Sequence, residues 1–579
     1  MTIYQWFIFF LVIQIVHYIG TWKLYEKAGF KSWEAAIPVY NSIVLMKIIN
    51  RPSWYTFLLF IPVINLIIFP VVWVETLRSF GKNSSLDTFL GIVTFGFYIY
   101  YVNYTQNVTY IKNRSTIATT KVGDTVSSLL FAIVVATFVH TYFIQPFTIP
   151  TASLEKSLLV GDFLFVSKFN YGARTPMTPI AAPMVHDTIP LLKVKSYSMY
   201  PQLPYFRFPA LEKIKNNDIV VFNWPADTLF NMYKETDIRY DKPIDKKTNY
   251  VKRCVGIAGD SLQIKDGIVF INGKKLILPE RAKPQYFYSI VTKQPFSENL
   301  RDDDFLKKYD ITEFVNVFKI EKRLWDNTVV TDYITKNKVS FSEISRDSAD
   351  VVIAGFPNQD VFDKFNLKYQ NTRLNVNLTA EKVAQIKTDP NVISVEQFIR
   401  KGAEDGVFPD HKDGAVSKQF NWNCDNFGPI YIPQAGKTIA LNASVLPLYK
   451  KIIIEYEGPN TIAVKGNEVF INNQLAKTYT FKQDYFWMMG DNRHNSLDAR
   501  YFGFTPEDHI VGKPIFIWMS IDGINDGIKN WRIRWSRLFT TVSGEGQPQS
   551  YFQYFLIALA LYFGLDYFLK KRKEKQSEV

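Results

Sequence analysis

From Thr125 to Phe143 the chain carries no Asp, Glu, Lys or Arg. A helix needs about 20 such residues to cross the hydrocarbon layer of a bilayer. This segment is therefore expected to span a membrane, and the chain beyond it to fold at a membrane surface. Four other stretches have similar character: Tyr4–Thr21, Trp54–Val74, Asp87–Val102 and Tyr551–Leu569. Of these, Asp87–Val102 is short and interrupted by Gly91 and Gly96. Trp6, Trp54, Trp73, Tyr100 and Tyr101 lie near stretch ends, where amphipathic rings favour the water–lipid boundary. The first stretch lacks the basic start and small-residue cleavage site of a removable leader.

Basic residues set the expected orientation. Lys570-Lys571-Arg572-Lys573 follows the last stretch and is expected on the cytoplasmic side. The segment from Gln145 to Ser550 then lies on the opposite side. Lys112, Arg114 and Lys121 place the loop before the fourth stretch inside, as do Lys23, Lys27, Lys31, Lys47 and Arg51 for the first loop. Alternation leaves the N-terminus outside.

The remainder reads as water-soluble protein. With 579 residues, 47% of them hydrophobic, and a net charge of +13, the chain calls for more than one folding unit. Nucleic acid is not the expected partner of that charge: there is no helix-turn-helix or zinc pattern, and no basic–aromatic repeat. The two cysteines, Cys254 and Cys424, make no disulfide framework, although an oxidising exterior permits their pairing. The six histidines are scattered, so no metal or other cofactor is expected.

The external part reads mainly as β. Asp218–Phe222 and Ile268–Ile271 are short β-branched runs bounded by turn residues. Leu262–Asn272 resembles Ile462–Asn472, which points to two similar strand–turn–strand units. The stretch from about Leu276 to Asn442 differs in texture and holds a capped helical run, Thr379–Lys387, stopped by Pro390. It is expected to be an inserted α/β subdomain.

Amide hydrolysis needs a nucleophile, a base and donors for the oxyanion. Three segments could supply them. Ile149-Pro150-Thr151-Ala152-Ser153 comes just after the membrane exit. Tyr250-Val251-Lys252-Arg253-Cys254 sets a lysine among apolar neighbours on an expected strand. Gly490-Asp491-Asn492-Arg493-His494-Asn495-Ser496-Leu497-Asp498-Ala499-Arg500 is a dense polar turn. The paired acids and histidines, Asp410-His411 and Asp508-His509, offer no triad, because adjacent strand residues face opposite ways.

In this order, and with Asp218–Phe222, these segments resemble the bacterial type I signal peptidases, membrane-bound Ser/Lys endopeptidases. The resemblance covers about 147–275 and 485–520. It implies Ser153 as nucleophile, Lys252 as general base, Ser496 as the residue that aims the lysine, and Thr151 with the Ser153 N–H as the oxyanion hole. It also implies Asp498 and Arg500 as a structural polar pair. Ile149, Pro150, Leu154, Leu158, Tyr250 and Val251 would line pockets for small side chains. An exposed lysine, with pKa near 10.4, is a poor base at neutral pH. Burial of Lys252 is expected to lower that value.

The implied architecture is a membrane region over 1–124 with about three spans, then a span over 125–143. Next comes a mainly β catalytic domain over 144–275 and 443–545, interrupted by the subdomain at 276–442. A last span over 551–569 and a basic tail over 570–579 close the chain. The implied setting is the cytoplasmic membrane, with the catalytic domain on its outer, periplasmic side. Partners are signal-peptide-bearing preproteins, the bilayer and a nearby translocon. Two departures from the family pattern matter. Ser153-Leu154-Glu155-Lys156 replaces the usual Ser-Met-x-Pro, and Ser196-Tyr197-Ser198-Met199-Tyr200-Pro201 mimics it, making Ser198 a rival nucleophile. The alternative from another class is a degenerate fold that binds signal peptides or acts as a secretion scaffold without hydrolysis.

Overall fold

The computed structural model describes residues 2–118, 120–230, 239–297, 300, 303–336, 339, 341–409 and 417–577. Asp410 and His411 lie outside the described residues. Among the described residues, three helices are long and apolar enough to cross a membrane: Ile3–Lys27, Lys121–Tyr142 and Phe552–Arg572. Few of their side chains are buried, so their apolar surfaces point away from the protein.

The stretches expected at Trp54–Val74 and Asp87–Val102 are not single helices. The first is broken between the helices Tyr55–Leu58 and Ile64–Ser79. The break is at Ile61-Pro62-Val63, where Val63 adopts φ 70°. The same Ile-Pro-Val-x-Asn frame occurs at Ile37–Asn41, where Val39 adopts φ 68° before the helix Tyr40–Ile48. Positive φ in a β-branched residue costs roughly 1–3 kcal/mol. Its recurrence in one local sequence marks a repeat that hydropathy does not reveal. The second stretch folds as Ser85–Val93 and Tyr98–Thr105, bent by 118°. Gly96 makes that corner feasible: it sits at φ 83°, and an added Cβ would come within 2.7 Å of the Trp73 indole nitrogen. Buried Glu75 ties the region together by pairing with Arg114, and with Arg78 at 3.8 Å and Arg51 at 3.9 Å.

Beyond Tyr142 the chain is mainly β. The strands β1 (Ile144–Thr148), β2 (Asp162–Ser167), β3 (Ile219–Asn223) and β4 (Asn249–Gly256) join Tyr485–Met489, Thr505–Pro506 and the long strand Ile510–Asp522 in one antiparallel sheet. Ile510–Asp522 lies between β2 and β3, and Tyr485–Met489 lies beside β4. Every residue of β3 is buried, so both faces of the sheet are covered. Val220, Phe222 and Cys254 belong to one core. Ile219, Val221 and the partly buried Val251 join Ile149, Leu154 and Leu158 in the other. Both cysteines are buried free thiols.

The Leu262–Asn272 and Ile462–Asn472 repeat folds as two hairpins in the same register, pairing Leu262 with Ile271 and Ile462 with Ile471. In each, the final Asn adopts positive φ, and its side-chain oxygen accepts the N–H eleven residues earlier, from Ser261 at 2.8 Å and Thr461 at 2.9 Å. A separate six-stranded antiparallel sheet runs from Gln285 to Gln397, with Lys368–Thr379 near its centre. The helix Ala380–Ile386 comes directly after that strand, capped by the Thr379 hydroxyl.

Candidate active site

Ser153 lies on a short helical turn, Ala152–Leu154, immediately after an extended Thr151. The turn is pinned from beneath. Leu154 and Leu158 are fully enclosed in the core that Ile149 also joins, and each such leucine contributes roughly 1.5–3 kcal/mol. This turn packs against β4, which carries Lys252. The residue after it, Glu155, leads to Lys156 at φ 67°. A proline, locked near −65°, cannot take that conformation. Lys156 instead pairs with Asp310 at 2.6 Å. The unusual Leu-Glu-Lys sequence thus has its own local fold.

Lys252 is 4% exposed and sits opposite Val220 across the sheet. Among the described residues its amine has no hydrogen-bond or ion-pair partner. It lies over the face of the Tyr250 ring, 5.6 Å from the centroid. Burial pushes its pKa down to about 8, overriding the opposing field of Asp498. About a tenth of such a lysine is free base at pH 7, against fewer than one in a thousand for an exposed one.

The polar turn at 490–500 holds these two segments together. Asp491 is fully buried and grips Arg253, the neighbour of Lys252, through two bonds of 2.8 and 2.6 Å. It also accepts from Ser157, just past the Ser153 turn, at 2.6 Å. Asn492 donates its backbone N–H to the Ser153 carbonyl and its side-chain amide to the Ala152 carbonyl, both at 3.1 Å. Gly490 is forced by space: a Cβ there would lie 2.5 Å from the Ser153 carbonyl oxygen and would collide with Ser496 Oγ.

Asp498 and Arg500 form a buried two-pronged pair, with bonds of 2.9 and 2.8 Å. Burial alone would raise the Asp498 pKa, but the charge and hydrogen bonds of Arg500, with the Gly490 N–H and the charge of Lys252, together hold the carboxyl below its usual range. Asp498 also accepts the Gly490 N–H at 3.0 Å, which closes the turn on itself.

The other expected site residues are brought together less completely. Ser496 sits beside the Ser153 backbone, but among the described residues its buried hydroxyl bonds neither Lys252 nor any other group. No hydrogen bond joins Ser153 to Lys252 either. Thr151 and Pro150 are exposed, and Tyr250 and Val251 are half-buried. Ile149 and Leu154 are closed into the core, and the buried Leu158 lines a cavity beside Arg253 and Arg537. Ser198 donates to the Tyr200 carbonyl at 2.5 Å, in a loop whose Tyr197 and Met199 pack against Val63 and Ala181 rather than β4.

Sequence reasoning missed the support behind the turn. Glu313, from the segment that enters the six-stranded sheet, accepts from the Asn492 amide at 3.0 and 2.9 Å. Asn377 donates to the Asn492 side-chain oxygen at 2.7 Å. Gln285 bridges the Asp491 carbonyl and the Arg493 N–H at 2.8 and 3.0 Å. His494 accepts the Phe287 N–H at Nδ1, 3.0 Å, so its proton is on Nε2, which meets Asp425 at 2.7 Å. No local motif marks Glu313 or Asn377 for this role; only their closeness in the fold does.

Comparison with known proteins fits this geometry. Residues 122–311 and 435–519 match the family described as signal peptidase, peptidase S26. Over these segments the chain is similar to that family. The matched segments contain Ser153, Lys252 and the 490–500 turn, and the gap between them takes in most of the six-stranded sheet. Residues 33–113 match a family of unknown function. Among curated relatives, signal peptidase I of Rickettsia typhi is 28% identical over 165 residues, 28% of this chain and 49% of that protein. The Rickettsia canadensis protein of the same name is 25% identical over 38% of this chain and 69% of its own length. That of Buchnera aphidicola is 21% identical over 69% and 78%. The chain thus spans about half the length of the first of these relatives and more of the other two.

Proposed function

We propose that this chain is a membrane-bound serine endopeptidase that cuts signal peptides from translocated preproteins. Ser153 Oγ would attack the scissile carbonyl while neutral Lys252 takes its proton. The lysine would then protonate the leaving amine, and later activate the water that hydrolyses the acyl-enzyme. Thr151 and the Ser153 N–H would face the oxyanion. The observation that carries this reading is a buried, unpaired lysine with a lowered pKa, on a strand packed against the Ser153 turn. Ser496, beside that turn with an unused hydroxyl, is suited to aim the amine once substrate closes the site.

Two finer points belong to the same proposal. The region 276–442 is an insertion that braces the catalytic turn through Glu313, Asn377 and Gln285. The catalytic domain lies outside the cytoplasmic membrane, near the translocon. Three complete spans, with the N-terminus outside and the broken stretches at 54–74 and 87–102 not crossing, give the same sidedness as five.

A second reading, a non-hydrolytic signal-peptide binder, draws on the missing Ser153–Lys252 hydrogen bond. Labelling with a serine-reactive acylating inhibitor separates the two. Stoichiometric label lost in Ser153→Ala supports the peptidase; no label on the folded wild type supports the binder.

A further inference from the structure

A cavity of about 140 Å³ lies where the C-terminal end of the helix Lys121–Tyr142 meets the β domain. Lys168, Arg174 and Lys246 line it, together with one acid, Asp245. One Asp245 oxygen is already occupied by the Met177 and Thr178 N–H groups and the Thr178 hydroxyl, at 3.0, 3.1 and 2.8 Å. Arg174 is anchored by the Asp508 carbonyl and Asn223, at 2.5 and 2.7 Å. The Lys168 amine has no hydrogen-bond or ion-pair partner among the described residues. The Lys246 amine has only the Tyr197 ring, at 5.4 Å. Thr137, one of the few buried residues of its helix, lines the same space, and its hydroxyl has no partner.

Three basic side chains facing one acid in a half-open cavity are costly to keep charged without a further counter-charge. The cavity supplies two ammonium donors and a spare hydroxyl, the chemistry that seats an oxyanion. It lies at the end of a bilayer-length helix, the depth at which headgroup phosphates are found. Burial, helped by Arg174 and Lys246, pushes the Lys168 pKa down to about 7, a strain that a bound anion would relieve.

We infer that this cavity binds the phosphate group of an anionic phospholipid, a chemistry that free inorganic phosphate shares. The inference rests on the reading of Lys121–Tyr142 as a membrane span. It makes Lys168 and Lys246 lipid ligands independent of Ser153 and Lys252.

The test uses the full chain in neutral phosphatidylcholine nanodiscs, titrated with fluorescent phosphatidylglycerol. Wild type, Lys168→Gln, Lys246→Gln, the double variant, Lys168→Arg and the surface control Lys529→Gln are compared, with melting temperature as the folding check. The expected result is a loss of affinity of about fivefold per lysine removed, retention in Lys168→Arg and no change in Lys529→Gln. Inorganic phosphate should displace the lipid better than chloride at equal ionic strength. Equal affinity in wild type and the double variant overturns the inference, as does equal displacement by chloride. If the wild type fails to enter bilayers at all, the membrane reading fails. Phosphate binding by wild type in detergent, lost in the double variant, would then identify the free ion as the ligand.

Discussion

The backbone N–H of Asn492 donates to the carbonyl oxygen of Ser153 at 3.1 Å. Through this bond the position of Ser153, the proposed nucleophile, depends on a turn more than 300 residues away. The Asn492 side chain is in turn held by Glu313 and Asn377. Glu313 is therefore a positioning residue. Glu313→Ala is expected to lower kcat by about 10–100-fold, the scale of small misplacements in a catalytic constellation, with little change in KM. Glu313→Gln keeps one acceptor oxygen and should recover part of the loss. The pH–rate profile should not move in either variant; a shifted basic limb would assign Glu313 to proton transfer instead.

Lys252 yields a prediction about pH. In the proposed mechanism its free base takes the serine proton, so kcat/KM should rise with pH through about 8. A limb appearing only near 10 would contradict the buried-base account.

The same shift has a stability consequence of opposite sign to its catalytic one. The folded pKa lies below the unfolded value of 10.5, so the unfolded chain binds more protons and the lysine destabilises the fold. That penalty, about 3 kcal/mol, is full below pH about 8 and fades as pH rises toward 10.5. Lys252→Met should abolish cleavage while leaving the melting temperature at pH 7 equal to or above that of wild type. A large fall in stability would mean that Lys252 makes a structural bond absent from this fold.

The Asp498–Arg500 pair behaves differently. Removing one partner leaves a buried charge alone, which costs roughly 3–5 kcal/mol. Arg500→Ala should lower denaturant stability by that order. The Asp498 pKa is depressed in the fold, so its contribution is present above the unfolded carboxyl pKa and is lost as pH falls through the folded value. Without Arg500, burial raises the Asp498 pKa and protonation favours the fold, so the stability deficit of Arg500→Ala should shrink as pH falls.

Gly490→Ala places a methyl group against the Ser153 carbonyl and the Ser496 hydroxyl. Overpacking of this kind costs about 1–3 kcal/mol, and here it displaces Ser153, the proposed nucleophile. Activity should fall far more than stability, as measured by parallel cleavage assays and urea melts. Equal activity in the variant would place the reacting serine elsewhere.

Much of this arrangement is legible in the sequence because it is local. β3 arises from a β-branched run, and the twin hairpins from a repeated eleven-residue pattern. The Asp498–Arg500 pair lies within a single polar turn. The features that are not legible depend on conformation or distance. Hydropathy reads Trp54–Val74 as one span, yet the positive φ of Val63 divides it. The family pattern makes Leu154 pocket lining, yet its side chain is buried in the core. The Lys156 departure suggests altered geometry, and the φ of 67° shows how the backbone accommodates it. Glu313 and Asn377 meet Asn492 only through the packing of the six-stranded sheet against the polar turn.

The central claim is that Ser153, and not Ser198, is the nucleophile. The most direct measurement is cleavage of a test preprotein bearing an Ala-x-Ala site by the full chain in lipid, comparing wild type, Ser153→Ala and Ser198→Ala. The account predicts product from wild type and Ser198→Ala, cut after the second alanine, and none from Ser153→Ala. Loss confined to Ser198→Ala, or product from Ser153→Ala at the wild-type rate, would contradict it.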